Sequence, residues 1–420
     1  MLNTFRFLSQ SVRFIKTPLS VVLVAISLTG PVFAQQSTTP TLGQATSAPA
    51  QGQAAAPQQA AAIPDAPEIA ANGYIVIDAD TGTVLAEKNS DQRLPPASLT
   101  KIMSSYLVVD EIERGRITEN SMVNISVKAW KMGGSRMYVK ESTQVSVIDL
   151  LRGVIVQSGN DATVALAEYV GGNEDAFVDM MNKRAAILGM KNTHFVNSSG
   201  MPDPEHYSTA RDLSLVARAV INDHPSHYGL YAEKVFFYNN IRQPNRNLLL
   251  YRDPTVDGLK TGHTEEAGFC LVSSSKRENT RLITVVMGTK SDEARAAETQ
   301  KLLAYGFRYY ETADVYKANT LITKARVWSG KAPEVSLGLT KDIRLTIPRG
   351  RQDALKATVQ VQENIKAPIA VGQVLGSLSV ELDGKVVSNQ PLVAQEAVEQ
   401  ASFMARLWDS FKLFLRNLFS

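Results

Sequence analysis

Apolar residues follow strand-like and helical patterns along the chain, and the order of these patterns limits the folds that it can adopt. Strand-like runs come first, helical spacing of apolar residues fills the middle, and strand-like runs return after Asn247 before a last helix. This order predicts an α+β fold, with an antiparallel sheet covered by helices. The strand-like segments cover residues 74–86, 268–273 and 281–288, and the helical ones begin at Ser98, Asp175 and Asp292.

A second domain is predicted from about Thr312, where short segments alternate between apolar and polar residues. Asp383-Gly384 lies between two apolar runs and is typical of a hairpin turn. Strands at this spacing predict a small β-sandwich over residues 312–395. Because this region has no candidate catalytic cluster, we expect it to act as a spacer. Its strand-like segments are 343–347, 357–361 and 378–382.

The C-terminal residues 396–420 predict an amphipathic helix. Bulky apolar residues recur at spacings of three and four, and basic residues occupy several of the remaining positions. Charged residues interrupt the stretch too often for it to span a bilayer, but aromatic and basic residues together suit a helix lying in the headgroup plane. We therefore expect it to bind a membrane surface; packing on its own domain is the alternative.

The N-terminal residues have the composition of a secretory signal. Residues 1–34 contain three basic and no acidic side chains, an apolar run too short to span a bilayer, and small residues at Val32-Phe-Ala34. Cleavage after Ala34 removes those three charges from a formal net charge of +3 and leaves zero, which argues against a nucleic-acid partner. Residues 35–67 are rich in Gln, Ala, Pro, Thr and Ser, so we expect a disordered spacer there.

No metal ion or other cofactor is predicted. The five histidines show no metal-ligand spacing, and Pro225 prevents His224 and His227 from sharing a helical face. Cys270 is the only cysteine, lies in an apolar stretch, and is expected to be a small buried side chain.

Three short motifs carry candidate chemistry, and their order along the chain is more specific than any one of them. A Ser-x-x-Lys pair alone is expected about once or twice by chance at this length, and a second one occurs at Ser273 to Lys276. In Ser98-Leu-Thr-Lys101 the lysine lies one helical turn after the serine, so its amine can act as a base for the hydroxyl. The helix start also presents free N–H groups that can stabilise an oxyanion. A capping serine beside a solvated lysine is the alternative.

The other two motifs suit proton transfer and substrate binding. Ser158-Gly-Asn160 offers a hydroxyl that can pass a proton to a leaving amine and an amide that can bind an amide substrate. Lys260-Thr-Gly262 offers a cation and a hydroxyl for a carboxylate, with a glycine that permits close backbone approach. Lys260 is also a candidate cation for lowering the pKa of the lysine in the first motif. A helix cap and a solvated turn are the structural alternatives.

The ordered triple is the signature of serine β-lactamases and penicillin-binding proteins. From about residue 68 to the C-terminal helix, the chain resembles the low-molecular-mass penicillin-binding proteins of the 5/6 type, D-alanyl-D-alanine carboxypeptidases of peptidase family S11. The segments that carry the resemblance are Pro96-Ala-Ser-Leu-Thr-Lys101, Gln157-Ser-Gly-Asn-Asp-Ala162, Lys191-Asn-Thr-His-Phe195, Asp257-Gly-Leu-Lys-Thr-Gly-His-Thr264 and Leu345-Thr-Ile-Pro-Arg-Gly-Arg351.

The resemblance implies a catalytic domain over residues 68–311 with a role for each candidate residue. Ser98 would be acylated and Lys101 would be its base. Ser158 would pass a proton to the leaving amine, and Asn160 would bind the substrate amide. The backbone N–H groups of Ser98 and His263 would form the oxyanion hole.

The same resemblance implies a site for the carboxylate of the substrate. Lys260, Thr261 and Gly262 would hold it, helped by Arg295, which falls where the family has an arginine. Together with the predicted signal and terminal helix, this implies a peripheral enzyme on the periplasmic face of a bacterial inner membrane.

The expected activity is removal of the terminal D-alanine from peptidoglycan pentapeptide stems through an acyl-enzyme on Ser98, with β-lactam antibiotics acylating the same serine. A D,D-endopeptidase cutting peptidoglycan cross-links, a β-lactamase and a non-catalytic cell-wall scaffold are the alternatives. The deacylating Glu-x-x-Leu-Asn string of class A β-lactamases is absent, and the presence of both Ser98 and Lys101 argues against a scaffold.

Overall fold

The computed structural model describes residues 63–419, so the predicted signal and residues 35–62 of the predicted spacer lie outside the described residues. The prediction of disorder is wrong for residues 63–67. Ile63 and Ala66 pack against the apolar core, and the Tyr305 hydroxyl donates a hydrogen bond of 3.0 Å to the carbonyl of Pro64. These contacts supply the apolar burial that the rest of the segment lacks in its composition.

The elements follow the order that the sequence patterns predict. The α+β domain has strands β1 (Gly73–Asp78), β2 (Val84–Lys88), β3 (Met122–Asn124), β4 (Gln144–Ser146), β5 (Val235–Tyr238), β6 (Ile241–Pro244), β7 (Val256–Thr264), β8 (Gly268–Arg277) and β9 (Thr280–Thr289). Its helices are α1 (Lys101–Glu113), α2 (Val127–Trp130), α3 (Val147–Arg152), α4 (Asn160–Gly171), α5 (Glu174–Ile187), α6 (Ala210–Asp223), α7 (Leu249–Arg252) and α8 (Asp292–Tyr309). The C-terminal region has β10 (Tyr310–Tyr316), β11 (Leu321–Arg326), β12 (Glu334–Gly338), β13 (Ile343–Pro348), β14 (Leu355–Val361), β15 (Val374–Leu382), β16 (Lys385–Ala394) and α9 (Phe403–Phe419).

A five-stranded antiparallel sheet in the order β2-β1-β9-β8-β7 forms the centre of the α+β domain. Successive residues of β1 belong to two separate apolar cores, because Ile75 and Ile77 face one side of the sheet while Tyr74 and Val76 face the other. Both faces of the sheet are therefore covered, and this explains why β1 is buried at every position. Strand β7 is the edge strand, so one of its sides is free to face a cavity.

The C-terminal region contains a second, smaller β-structure. A ribbon of β10 and β13 and a five-stranded sheet in the order β11-β12-β16-β15-β14 contribute to one apolar core. The predicted hairpin turn is confirmed, since Asp383 and Gly384 connect β15 to β16 with φ values of 52° and 78°.

The C-terminal helix begins later than predicted. Residues 397–401 are extended because Val398 is buried in the core of the β-rich region and exchanges backbone hydrogen bonds with Ile369. The helix α9 starts only at Phe403. Among residues 63–419, no helix is long and apolar enough to cross a membrane.

Candidate active site

A cavity of about 810 Å³ lies where the start of α1, the start of α4 and the edge strand β7 meet. Seven of the nine predicted site residues line it, and the two lysines are buried beside it. Three segments that are far apart in sequence are thus brought together by the fold. The seven lining residues are Ser98, Ser158, Asn160, Thr261, Gly262, His263 and Arg295.

Ser98 lies in a single 3₁₀ turn, Ala97–Thr100, that runs directly into α1. Its side chain is half-buried at the cavity, so the hydroxyl is accessible from the cavity. Ala97 has a φ of 46°, in the left-handed region that a side chain normally avoids. Backbone strain of this kind persists only where surrounding contacts hold it, and it is common at functional sites.

Lys101 is fully buried, and its amine contacts three oxygen atoms. Its Nζ lies 3.0 Å from Ser98 Oγ, 2.7 Å from Asn160 Oδ1 and 2.6 Å from the backbone carbonyl of Ser199. Burial, assisted by the positive charge of Arg246, lowers the pKa of Lys101 to about 7. A substantial fraction of this lysine is therefore neutral near pH 7.

The three contacts of Lys101 orient a neutral amine. Such an amine has two N–H donors and one lone pair. The amide oxygen of Asn160 and the carbonyl of Ser199 can only accept, so they take the two N–H groups. The lone pair is then left to accept the proton of the Ser98 hydroxyl, as general-base catalysis requires.

Ser158 is held in an unusual backbone conformation next to this pair. Helix α3 continues as a π-helical turn, Gly153–Gln157, and ends at Ser158, whose φ is 65°. Among residues 63–419 its buried Oγ has no hydrogen-bond partner. Leaving a buried hydroxyl unpaired costs about 1–3 kcal/mol, so a substrate group that forms a hydrogen bond with this atom would be stabilised.

Asn160 and its neighbour Asp161 form hydrogen bonds with the backbone of residues 133–138, part of which lines the cavity. The Nδ2 of Asn160 donates to the carbonyl of Gly133 at 2.7 Å. The carboxylate of Asp161 accepts hydrogen bonds from the backbone N–H groups of Met137 and Tyr138, at 2.9 and 2.8 Å. Asp161 was not a predicted site residue, because it acts on the backbone of a distant loop.

The Lys260-Thr-Gly262 motif lies inside the edge strand β7, and this excludes the alternative of a solvated turn. Lys260 is fully buried, and burial with the nearby positive charges of Lys101 and Arg246 lowers its pKa. A Cβ on Gly262 would lie 3.0 Å from the carbonyl of Pro96 and 3.2 Å from the backbone nitrogen of Ser98. Glycine at this position therefore permits the close approach of β7 to the turn carrying Ser98.

His263 and Arg295 are both at the cavity but differ in burial. The His263 side chain is exposed and packs against Phe269, with ring centroids 3.9 Å apart and the rings tilted by 31°. Arg295 is buried, so it is not a solvated surface side chain. Its guanidinium donates to the carbonyl of Gly262 at 3.3 Å and pairs with Asp292 at 2.5 Å, so it also braces β7.

Arg246 is a cavity residue that sequence reasoning missed. Its guanidinium donates to Ser135 Oγ at 2.6 Å, and its charge lowers the pKa of both Lys101 and Lys260. Arg246 and Arg295 place two guanidinium groups at the cavity, one of them paired with Asp292, and guanidinium groups suit a carboxylate ligand. No local pattern singles out Arg246, which precedes β7 in a segment without regular periodicity.

The loop of residues 197–201 also escaped prediction. The Asn197 side chain accepts hydrogen bonds from the backbone N–H groups of Gly200 and Met201, at 2.7 and 3.0 Å, and thereby shapes the loop. Its contribution to the site is the backbone carbonyl of Ser199, which the amine of Lys101 contacts. Because any residue type provides a carbonyl, the sequence contains no signal for this role.

The Ser-x-x-Lys pair, Ser158-Gly-Asn160 and Lys260-Thr-Gly262, brought together at one cavity, are the motifs of serine β-lactamases and penicillin-binding proteins. Residues 59–291 match the family model for D-alanyl-D-alanine carboxypeptidase, peptidase S11. Residues 310–400 match the model for the C-terminal domain of penicillin-binding protein 5.

Individual relatives agree with the family models. The chain is 43% identical over 365 residues to the D-alanyl-D-alanine carboxypeptidase DacA of Escherichia coli strain K12, covering 85% of this chain and 91% of the relative. It is 44% identical over 353 residues to DacC of the same strain, covering 82% and 88%. The crystal structure of penicillin-binding protein 5 from Haemophilus influenzae superposes with a TM-score of 0.76 at 44% identity, covering 80% of this chain and 99% of that one.

The chain therefore belongs to the peptidase S11 family, as a serine D-alanyl-D-alanine carboxypeptidase of the penicillin-binding protein 5/6 type. An ampicillin-bound penicillin-binding protein D2 from Listeria monocytogenes also superposes, with a TM-score of 0.53 at 29% identity, covering 57% of this chain and 98% of that one. The α+β fold with a β-rich C-terminal domain and a terminal helix is thereby confirmed.

Proposed function

We propose that this carboxypeptidase removes the terminal D-alanine of peptidoglycan stems through Ser98, with Lys101 as its base. The observation that carries this assignment is the environment of the Lys101 amine, whose two N–H groups are engaged by Asn160 and Ser199 while its lone pair is left for the Ser98 hydroxyl. A lysine with a pKa of about 7 is matched to proton transfer near neutral pH.

Acylation begins when Lys101 accepts the proton of the Ser98 hydroxyl and Oγ forms a bond to the carbonyl carbon of the penultimate residue. The negative charge that develops on the carbonyl oxygen is stabilised by the backbone N–H groups of Ser98 and His263. As the C–N bond breaks, the leaving amine of D-alanine takes a proton from the Ser158 hydroxyl, and the ammonium of Lys101 returns one to Ser158. Water then hydrolyses the acyl-enzyme.

The carboxylate of the substrate identifies the end of the peptide that is removed. Lys260, Thr261 and Gly262 on β7 would bind it, with Arg246 and Arg295 adding positive charge on the same wall. A terminal D-alanine carries a free carboxylate next to the scissile amide, and this end of the cavity offers basic groups that can bind it. A β-lactam presents a carboxylate and a reactive amide in the same way, so it would acylate Ser98.

The assignment of the nucleophile can be tested by mapping a penicillin adduct. The intact protein is incubated with benzylpenicillin, digested, and analysed by mass spectrometry. We expect a single adduct on the peptide containing Ser98, and none in Ser98→Ala. An adduct of the same yield in folded Ser98→Ala would show that another residue is the nucleophile.

The acylation rate is expected to rise with pH through about 7. Below this pH Lys101 is mostly protonated and cannot accept the Ser98 proton, so between pH 5 and pH 8 the rate constant should increase by about 100-fold and then level off. Arg246→Gln removes a positive charge that lowers the pKa of Lys101, so its profile should shift to higher pH. The measurement is the rate constant of penicillin acylation at each pH, and a flat profile from pH 5 to 8 would contradict the role of Lys101.

We further propose that α9 binds the periplasmic face of the inner membrane. Its bulky apolar side chains are exposed, Phe403 and Phe414 among them, while the Asp409 carboxylate accepts a 2.9 Å hydrogen bond from the backbone of Ser329. The polar side of the helix therefore faces the β-rich region and the apolar side faces outward. An outward apolar face with an exposed Lys412 beside it suits a lipid headgroup layer.

This membrane proposal predicts a loss of vesicle binding when the apolar face is changed. The double variant Trp408→Ser and Phe411→Ser should bind phosphatidylglycerol vesicles at least about tenfold more weakly. Burial of each of these exposed side chains in the bilayer would contribute about 1.5–3 kcal/mol to the free energy of binding. Val371→Ser, which changes an exposed apolar residue outside α9, serves as the matched control and should bind normally. Sedimentation with vesicles measures both, and equal binding of the double variant would show that α9 is not the anchor.

A further inference from the structure

A buried histidine lies behind the nucleophile and has no part in the mechanism derived above. His206 is only 4% exposed and is followed by α6 in the sequence, yet its ring reaches the 3₁₀ turn that carries Ser98. Its Nε2 lies 2.8 Å from the hydroxyl oxygen of Thr100. A fully buried imidazole in contact with the catalytic turn requires an explanation.

The donor and the acceptor of each hydrogen bond around His206 follow from the partners of the imidazole ring. The backbone N–H of Val196 donates to His206 Nδ1 at 3.0 Å, so the ring proton is on Nε2. Nε2–H therefore donates to Thr100 Oγ1. The Thr100 hydroxyl in turn donates to the carbonyl of Ala97 at 2.8 Å. The chain of three hydrogen bonds thus ends on one backbone carbonyl.

That carbonyl belongs to the same peptide unit as the N–H of Ser98. The unit is planar, so the two groups point in opposite directions and fixing the carbonyl of Ala97 fixes the direction of the Ser98 N–H. As an N–H at the start of a helical turn, it has no partner within that turn and is available to a substrate. Ala97 is itself in the left-handed region, with a φ of 46°, so this peptide needs external contacts to stay in place.

We propose that His206 is a positioning residue, which orients the oxyanion-binding N–H of Ser98 by way of the Thr100 hydroxyl and the Ala97 carbonyl. The proposal rests on the proposed function, in which that N–H stabilises the tetrahedral intermediate. Burial lowers the pKa of His206 to about 4, so near pH 7 the ring keeps one donor and one acceptor as the geometry requires.

Replacing His206 by glutamine and by asparagine tests the proposal, because the two side chains place their amide N–H groups at different distances from the backbone. Glutamine carries an N–H donor at about the position of the histidine Nε2, whereas asparagine is too short to reach it. His206→Gln should therefore keep penicillin acylation and D-alanine release within about threefold of the original protein. His206→Asn and His206→Ala should lower the acylation rate constant and kcat by about 10- to 100-fold, with KM within about twofold, since loss of one oxyanion donor costs about 10²–10³ in kcat.

Thr100→Val probes the next link of the chain. It removes the hydroxyl with little change of shape, so it should produce the same fall as His206→Ala, and the double variant should be no slower than either one. His194→Ala changes an exposed histidine in the same region and is the matched control, expected to be unchanged. Thermal unfolding of each variant shows that the rates refer to folded protein.

Three results would overturn the proposal: folded His206→Ala acylating within twofold of the original rate, His206→Gln falling as far as His206→Asn, or additive losses in the double variant. If His206→Ala does not fold, the comparison of Thr100→Val with His206→Gln decides the question by the same readouts. Failure of the proposed function is distinguishable, because the unmodified protein itself would then not be acylated on Ser98.

Discussion

Replacing Lys101 by methionine is expected to lower the rate constant for acylation of Ser98 by about three to four orders of magnitude. General-base catalysis contributes about 10²–10⁴ to a rate, and methionine has a similar length but no atom that can accept the serine proton. The change also leaves the oxygen atoms of Asn160 and Ser199 without the donor that they now share. Stopped-flow acylation by a fluorescent penicillin measures the effect.

The chain provides its own control for this substitution. Ser273 and Lys276 form a second Ser-x-x-Lys pair, but Lys276 is exposed and Ser273 is buried in β8. Lys276→Met should therefore acylate at the original rate. A Lys101→Met protein that is folded and acylates at more than a tenth of that rate would show that another group is the base.

Gly200→Ala is expected to have the largest effect of any single methyl group added to the site. Gly200 has a φ of +85°, and a Cβ there would lie 1.8 Å from the carbonyl oxygen of Ala97 and 2.8 Å from Thr100 Oγ1. Left-handed backbone costs about 1–2 kcal/mol and overpacking about 1–3 kcal/mol, so the free energy of unfolding should fall by about 3 kcal/mol. Because the displaced carbonyl precedes Ser98, acylation should also slow by at least about 100-fold.

Gly229→Ala is the matched control for this glycine. A Cβ on Gly229 would meet no atom within 4 Å, and its φ is not in the left-handed region. Denaturant unfolding and penicillin acylation of the two variants should therefore differ widely. If Gly200→Ala matched Gly229→Ala in both measurements, the close packing of Gly200 against the Ala97 carbonyl would not matter for stability or acylation.

The sequence predicts those parts of the site that are encoded by local spacing. Ser98 and Lys101 lie one turn apart, so a helical pattern is enough to bring the hydroxyl and the amine together. Lys260, Thr261 and Gly262 are consecutive in the sequence, so their motif predicts the chemistry at this edge of the sheet, while the bounds of β7 come from the structure. The order of strands and helices predicts the α+β class because the spacing of apolar residues within each segment matches the element that it forms.

Other parts depend on tertiary contacts that no local pattern records. The carbonyl of Ser199 and the backbone-binding carboxylate of Asp161 act through groups whose partners are distant in sequence. Arg246 reaches the cavity from a segment without periodicity. The predicted start of α9 is too early because Val398, which lies within the predicted helix, is buried instead in the core of the β-rich region.

Release of D-alanine shows whether Ser98 performs the carboxypeptidase reaction. Purified protein and its Ser98→Ala variant are incubated with diacetyl-Lys-D-Ala-D-Ala, and free D-alanine is measured over time. We expect steady release by the original protein and none above the buffer background by the variant. Release by the folded variant at a comparable rate, or no release by the folded original protein, would contradict it.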